Sequence, residues 1–281
     1  MSADTISMRD ALYEAPGPKT RRRIVVGTVV GTIAVVALLG LIAWRFYVTG
    51  QFAPQYWTFF TKWSTWRYLL TGLLGTFEVA LMAGAIALVL GVLFMLGRIS
   101  KNRVVSTIFR VIIDFFRGIP SLLLIYFFFL VIPSYGIKMP SFWMLAIPIS
   151  LTASGVLAEV FRAGVNAVPE GQREAALSLG MTEGKVMRKI VLPQAVKFVI
   201  PSLISQLVVV VKDTTVAYVV SYPDMLQNAR VLITNYDALV STYFVVAIIY
   251  ILINYAINQA SIYVARRSGT RVISRNQENP V

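Results

Sequence analysis

The stretch LLTGLLGTFEVALMAGAIALVLGVLFMLG, residues 69–97, decides the fold class of this protein. Glu78 is the single charged residue in the whole stretch. A helix needs about 20 apolar residues to cross the hydrocarbon core of a bilayer. Residues 69–97 therefore predict a transmembrane helix rather than a helix buried in a soluble core.

The composition of the whole chain agrees with a membrane protein. Of its 281 residues, 57% are hydrophobic and 14% are charged, whereas soluble domains carry about 25% charged residues. The formal net charge is +13. The basic residues lie between apolar stretches and do not cluster on one polar face, which favours a membrane surface over nucleic acid as the partner of this charge.

Five further apolar stretches meet or approach the length of a span. They are Ile24–Trp44, Ile119–Ile137, Met139–Ala158, Phe198–Tyr222 and Ala238–Ala265. The first is longer than the apolar region of a secretion signal, which spans about 7–15 residues, so we interpret it as a retained helix. The sequence predicts an all-α, polytopic membrane protein with six transmembrane helices.

Lysine and arginine predict the orientation, because cytoplasmic loops are enriched in them. With both termini inside, 19 basic residues lie on the inner side and five on the outer side. The predicted order is a cytoplasmic tail (1–23), a first helix (24–48), an external interfacial segment (49–68), a main membrane domain (69–267) with a cytoplasmic loop (163–197), and a C-terminal tail (268–281). Within the external segment, residues 54–67 form either an amphipathic surface helix or a simple aromatic anchor.

The missing residue types exclude several function classes. The chain has no Cys and no His, which excludes the usual zinc sites, Cys nucleophiles and His-dependent triads. No G-x-x-x-x-G-K-[ST] segment is present to bind nucleotide phosphates. We therefore predict no catalytic residue, no metal site and no cofactor in this chain, and we expect any ATP and Mg²⁺ chemistry in a partner. An intramembrane enzyme based on Asp or on Ser and Lys stays open.

The loop before the fifth span predicts two short helices. Pro169-Glu170 is typical of a helix start, and Gly180 is suited to the left-handed position after a helix end. Thr182 can cap a second helix, which we expect Pro193 to end. The loop is either an ordinary connector or a compact knob that another protein contacts through Ala175, Ala176 and Leu179.

The spacing within this loop resembles a known family signature. Glu174-Ala175-Ala176 is followed after three residues by Gly180, and after nine more by Ile190-Val191-Leu192-Pro193. This resembles the "EAA" signature of bacterial ABC importer permeases, and the resemblance covers about residues 69–267. It implies the type I importer permease fold, with a five-helix core plus an N-terminal helix. It also implies coupling to the ATPase through a set of loop residues: Glu174, Ala175, Ala176, Gly180, Leu192 and Pro193.

Looser matches resemble the polar amino-acid subfamily. They are Asp114–Pro120, Lys212–Thr215 and the last span around Tyr250. The resemblance implies an amino-acid substrate, two ATP-binding subunits and an extracytoplasmic solute-binding protein. It also implies a second permease subunit, which forms either a homodimer or, as we favour, a heterodimer with this chain. Residues 13–18 and the added helix resemble actinobacterial glutamate permeases. Glutamine, aspartate and basic amino acids stay open, as does a secondary carrier or channel.

Polar residues inside the predicted spans indicate a substrate pathway, because ionisable groups are costly at that depth. The candidates are Lys212, Asp213, Thr214, Thr215, Glu78 and Arg117. A run of four polar residues cannot face lipid on all sides, so at least part of it meets a cavity or a neighbouring helix. For each candidate the alternative is a structural polar contact. Asp114–Arg117 and Glu159–Arg162 are three apart and predict ion pairs on one helix face.

Overall fold

The computed structural model describes residues 17–267, without the side chains of 265–267. The predicted tails therefore fall largely outside the described residues. Residues up to Trp57 and residues from Thr58 onward form two compact units. In the first unit, helix α1 (Pro18–Val48) starts at a proline, which suits the first turn of a helix. Its side chains are exposed on every face of the unit, as expected of a helix whose surroundings are lipid or another apolar surface.

The second unit is helical, with no strand among its described residues. Helix α2 (Trp63–Arg98) starts six residues before the predicted apolar stretch and leads into the shorter α3 (Arg103–Gly118). The remaining helices are α4 (Ser121–Ser134), α5 (Ser141–Asn166), α6 (Glu170–Ser178), α7 (Glu183–Val220), α8 (Met225–Tyr236) and α9 (Leu239–Arg267).

The core of the second unit lies between α2 and α5. Ala80, Ala83 and Ala87 of α2 are fully buried in it. One turn further, a Cβ on Gly91 would lie 2.8 Å from the Cβ of Leu157, so the two helices approach closely there. The small-residue stripe of α2 thus packs against a helix of the same chain, as small residues do in membrane helix pairs.

The third predicted span is broken. Helices α3 and α4 meet at an angle of 95° across Ile119 and Pro120. Pro120 lacks an N–H group and disfavours helical geometry in the residue before it, so a break at this point follows from the sequence. Counting this pair as one, the structure has six segments long and apolar enough to span a membrane, which confirms the predicted fold class.

The fifth span differs from the prediction at Pro193. We expected Pro193 to end the second loop helix, but α7 runs through it, by way of a π-helical stretch over Met187–Val191. Pro193 lies in the first turn of the regular helix that follows. The wider π turn accommodates a residue without an N–H group, which is why proline does not stop the helix here.

Helix α7 ends in a 3₁₀ turn, and a short irregular segment then connects it to α8. Its last seven residues, Thr214–Val220, narrow to 3₁₀ geometry, and Ser221 takes the left-handed conformation with φ of 52°. The chain then runs through Tyr222 and Pro223 to Asp224, whose side chain accepts a hydrogen bond from the N–H of Gln227 at the start of α8. Irregular backbone of this kind between membrane helices is tolerated where protein covers it.

Candidate functional site: the loop between α5 and α7, and the polar groups beside α2

The loop between α5 and α7 is shaped by Gly180. Helix α6 ends at Ser178, two residues before Gly180, and Gly180 has φ of 78°. Its N–H donates to the carbonyl of Leu177 at 2.9 Å, while the N–H of Met181 donates to the carbonyl of Ala176 at 3.2 Å. These two bonds form a Schellman motif, which satisfies the last carbonyls of α6 and reverses the chain. The predicted helix end at Gly180 is confirmed.

The loop has a small hydrophobic core of its own. Ala176 is buried against Val186 and Val191, so the end of α6 is packed onto the start of α7. Glu174 and Ala175 are exposed, and Leu179 is 84% exposed. We expected Ala176 to share an outer face with Ala175 and Leu179, but it points inward. The exposed surface that a partner can contact therefore contains Glu174, Ala175 and Leu179.

Glu183 connects this loop to the turn between α2 and α3. Its Oε2 atom lies 2.9 Å from Nζ of Lys101 and 3.2 Å from Nη2 of Arg173. Each pair is solvent-exposed, so each adds little stability by itself. Together they join the α2–α3 turn, α6 and the start of α7 through one carboxylate, which places all three at the same end of the helix bundle.

The two predicted ion pairs are confirmed. Arg162 donates two hydrogen bonds to Oε2 of Glu159, from Nε at 2.9 Å and from Nη2 at 2.6 Å. Arg117 lies 3.8 Å from Asp114 on an exposed face of α3. The predicted pathway role of Arg117 stays a prediction, because this geometry serves a structural ion pair equally well.

Glu78 lies beside a cavity. The hydroxyl of Tyr222 donates to Oε2 of Glu78 at 3.3 Å, and the ring of Tyr222 contacts that of Phe142 edge to face. Glu78 and Phe142 line a cavity of about 410 Å³ together with Leu81, Met82 and Ala85. The Glu78 carboxylate thus lies beside an open cavity, and the Tyr222 hydroxyl is hydrogen-bonded to one of its two oxygens.

The polar run at the end of α7 is not a cluster of four free groups. The hydroxyl of Thr214 donates to the carbonyl of Val211, and that of Thr215 donates to the carbonyl of Lys212. The half-buried carboxylate of Asp213 accepts a hydrogen bond from Ser121 at the start of α4. Lys212 is exposed. Its ammonium group is therefore the charge of this run that the described residues leave exposed.

An apolar groove lies next to the Glu78 cavity, with which it shares Leu81 and Ala85. It has a volume of about 360 Å³ and runs along α2, α5 and α7, where Gly84, Leu88, Leu157, Leu207 and Val210 line it. Neither Glu78 nor Lys212 lines this groove, and the ion pairs of the described residues do not join the two side chains.

A buried polar network around Asp224 was missed by the sequence analysis. Asp224 is fully buried, and the hydroxyl of Tyr250 lies 3.5 Å from its Oδ2 atom. The N–H of Met225 donates to the hydroxyl of Thr76, and the amide of Asn228 donates to the carbonyl of Tyr68. The signal in the sequence was Pro223-Asp224 before a helical stretch, which is typical of a helix start.

Burial has an electrostatic consequence at Asp224, which lies in the connection between spans. Desolvation raises the pKa of its carboxyl group to about 6, against the opposing effect of the N–H groups that donate to it. Burial therefore disfavours the charged form of the Asp224 carboxyl group. The hydrogen bonds around Asp224 hold the α7–α8 connection against α2 and α9. This arrangement positions Tyr222, and hence the hydroxyl beside Glu78.

Comparison with known proteins places these features in one family. Residues 83–269 match the model of the binding-protein-dependent transport system inner membrane component. The matched range includes the α5–α7 loop, the polar run of α7, and Asp224 and Tyr250 of the buried network. It leaves out α1, which is consistent with an added first helix outside the core.

Individual relatives match most of the chain. The glutamate transport system permease protein GluD of Corynebacterium glutamicum is 33% identical over 82% of this chain and 88% of its own length. The probable glutamine ABC transporter permease protein GlnP of Bacillus subtilis is 30% identical over 73% and 93%. A crystal structure of an amino acid ABC transporter with histidines superposes with a TM-score of 0.68, at 26% identity over 72% of this chain and 94% of that one. The chain belongs to the family of binding-protein-dependent transport system inner membrane components.

Proposed function

We propose that this protein is the permease subunit of an ATP-driven amino-acid importer, with glutamate as its substrate. Its relatives include permeases named for glutamate and for glutamine. The observation that carries the proposal is the α5–α7 loop, because it is compact, closed by Gly180 and exposed at Glu174 and Leu179. Such a loop transmits movement as a rigid body, since its own core resists deformation.

The assembly that we propose has this chain as one of two permease subunits, the second being a sister permease in a heterodimer. Two ATP-binding subunits bind ATP and Mg²⁺ and contact Glu174 and Ala175 on the cytoplasmic side, where both termini also lie. Ala176, Gly180, Leu192 and Pro193 hold the loop in shape and connect it to α7. A solute-binding protein delivers the amino acid from the outer side.

The substrate pathway that we propose follows the groove between α2, α5 and α7. Glu78 lines the cavity beside Phe142, and Lys212 supplies positive charge on the exposed side of α7. A substrate carboxylate interacts favourably with an ammonium group where the local dielectric constant is low. Asp213, Thr214 and Thr215 then fix the end of α7, because their side chains are engaged by Ser121 and by the helix backbone.

Replacement of Lys212 tests this pathway. We expect Lys212→Met to lower the rate of glutamate uptake about tenfold, which corresponds to about 1.4 kcal/mol of lost interaction, while Lys212→Arg retains most of the rate. The measurement is uptake of radiolabelled glutamate into cells or proteoliposomes that contain the whole assembly. Lys138→Met, which removes a charge from an exposed residue between α4 and α5, is the matched control.

A panel of competing amino acids separates the substrate from the mechanism. Competition by glutamate alone supports the proposed substrate, whereas stronger competition by glutamine or arginine would correct the substrate and leave the importer intact. Uptake that persists without any ATP-binding subunit would instead point to a secondary carrier or channel. Unchanged uptake by Lys212→Met would remove Lys212 from the pathway.

A further inference from the structure

Helix α8 has one buried face and one open face. The buried residues are Met225, Asn228, Ala229 and Leu232, and the helix packs against α2 and α9. The residues of the open face follow each other at helical spacing: Gln227, Arg230, Val231, Thr234 and Asn235. All of them except the half-buried Gln227 are exposed. The open face is therefore mainly polar and carries one positive charge.

Contacts with α2 place α8 at the end of the bundle opposite the α5–α7 loop. The side-chain amide of Asn228 donates to the carbonyl of Tyr68 at 2.8 Å. The ring of Tyr236 stacks on that of Phe59, which precedes α2, with 4.5 Å between the ring centres. The other end of α2 is joined to the loop through Lys101. Helix α8 thus runs back along the first turns of α2, and the predicted orientation makes this the outer side.

The open face of α8 lines a cavity of about 420 Å³. Tyr218, near the end of α7, lines the same cavity, and the central guanidinium carbon of Arg230 lies 4.5 Å from the centre of its ring. Gln227 lies at the inner end, where its N–H donates to Asp224. Asn235 lies about 12 Å further along α8. The cavity therefore extends from the α7–α8 connection toward the outer end of α8.

The cavity has a positive charge and no negative one. The guanidinium of Arg230 is always protonated, and the ion pairs of the described residues include none with Arg230. None of the described residues that line the cavity is acidic. The cation–π contact with Tyr218 holds the Arg230 side chain in place and leaves its N–H groups to other acceptors. An anion is the ligand that this arrangement suits.

The polarity of the inner end argues against lipid as the neighbour of this face. A Cβ on Gly72, within the apolar stretch of α2, would lie 2.7 Å from the carbonyl oxygen of Asp224. The inner end of the cavity, at Gln227, therefore lies near the depth at which the apolar stretch begins. A lipid-facing helix becomes apolar toward that depth, and polar groups there face a water-filled cavity or the bundle interior.

We propose that this cavity is an entrance site for the substrate, in which Arg230 binds the carboxylate of an amino acid that arrives from the outer side. A guanidinium suits a carboxylate because it offers two parallel N–H donors. The amide oxygens of Gln227 and Asn235 can accept hydrogen bonds from the ammonium group of the same amino acid. The proposal rests on the proposed importer function and adds a specificity residue on the outer side of Lys212.

The position of Arg230 favours a small solute over the solute-binding protein as its partner. A protein that docks on the outer surface first contacts the outermost residues, at the end of α8 near Tyr236. Arg230 lies six residues before Tyr236, which is about 9 Å further in. Its guanidinium is also held against Tyr218 of α7. A small molecule can enter the cavity and reach this group, whereas a protein surface is held back by the end of α8.

Uptake into proteoliposomes that contain the whole assembly tests this assignment when the concentration of the solute-binding protein is varied. The probe is radiolabelled glutamate, or the amino acid that the competition panel identifies. We expect Arg230→Gln to lower the maximal rate about tenfold, as the loss of one charge-assisted hydrogen bond predicts. The half-saturating concentration of the binding protein should stay the same.

Arg67→Gln is the matched control, because it removes an exposed charge from the same end of the bundle outside the cavity. We expect it to change neither quantity. An unchanged maximal rate in Arg230→Gln would overturn the proposal. A raised half-saturating concentration would also overturn it, because Arg230 would then belong to the docking surface of the binding protein.

A thiol at Val231 gives a direct result that needs no binding protein. The chain has no native Cys, and Val231 lines the cavity and is 37% exposed. In the purified permease assembly we expect a water-soluble maleimide to modify Val231→Cys. The same amino acid at twice its dissociation constant or more should slow this modification at least about threefold, by mass action. Arg230→Gln should abolish this protection, and Arg67→Gln should retain it.

Two results of the labelling would overturn the proposal. One is a thiol that the maleimide does not reach, which would show that lipid or protein covers the open face. The other is a thiol that the transported amino acid does not protect. Failure of the importer function itself gives a different result, because the unmodified assembly would then take up no amino acid with ATP.

Discussion

Gly180→Val is expected to lower coupled transport at least tenfold, while Gly180→Asn retains most of it. Gly180 has φ of 78°, and a Cβ built on it would meet nothing within 4 Å. The penalty is therefore conformational rather than steric. Valine is strained in the left-handed region, whereas asparagine tolerates it. Loss of the Schellman motif would free Ala176 from Val186 and Val191, and the loop would no longer move as one body.

Uptake and ATPase activity of the assembled transporter, measured on the same preparation, check this prediction. We expect ATP hydrolysis to continue in Gly180→Val while uptake falls, because the ATP-binding subunits are unchanged but their contact with the α5–α7 loop is altered. Gly171→Val, in the first turn of α6, is the matched control, since Gly171 also has open space around it but no positive φ. Normal uptake in Gly180→Val would show that the loop conformation does not matter for coupling.

Gly75→Val is expected to prevent correct folding of the region around the α7–α8 connection. A Cβ at Gly75 would lie 2.6 Å from the carbonyl oxygen of Pro223, and one at Gly72 would lie 2.7 Å from that of Asp224. Backbone oxygens cannot rotate away as a flexible side chain can. The connection is also held by Thr76, whose hydroxyl accepts a hydrogen bond from Met225, so relief requires breaking buried hydrogen bonds. We expect a cost of about 3 kcal/mol or more.

Thermal unfolding in detergent measures this effect. A loss of about 3 kcal/mol lowers the midpoint by about 10 °C in a protein of this size, and we expect the yield of monodisperse protein to fall as well. Gly84→Val on the same helix is the control, because a Cβ there would meet only the Leu207 side chain at 3.7 Å. Equal midpoints for the two variants would mean that α2 does not approach the connection as closely as described.

Apolar length and helix-ending residues predicted most of the architecture. Residues 69–97 were sufficient for α2 because hydrocarbon thickness sets the length of a span. Gly180 was sufficient for the end of α6, since few residues accept its backbone conformation. The Asp114–Arg117 and Glu159–Arg162 pairs also followed from spacing alone, because residues three apart are neighbours on a helix.

Features that depend on neighbouring helices were not predictable in the same way. Pro193 was expected to end a helix, but a π turn before it keeps α7 continuous. Ala176 was expected on the outer face, but Val186 and Val191 draw it inward. The third span was placed at residues 119–137, but a separate helix that begins at Arg103 precedes this stretch and meets it at an angle of 95°. The spacing of residues along one helix does not show which neighbouring segment packs against it. Packing against neighbouring segments determined the outcome in each of these cases.

The Asp224 network shows the same limit for polar residues. Lys212 and Glu78 were conspicuous because they interrupt apolar runs, whereas Asp224 lies in a segment that reads as an ordinary loop. Its burial depends on contacts from α2 and α9, which are distant in sequence. The predicted pathway residues therefore included the exposed Lys212 but left out the carboxyl group that positions Tyr222 beside Glu78.

Disulfide cross-linking between the α5–α7 loop and the ATP-binding subunit tests the central claim most directly. Ser178→Cys introduces a single thiol on the exposed end of α6, since the chain has no other Cys. With a matching Cys in the groove of the ATP-binding subunit, we predict a cross-link in the assembled transporter whose yield changes between the nucleotide-free and ATP-bound states. A transporter that takes up amino acid normally but forms no such cross-link in any nucleotide state would contradict the account.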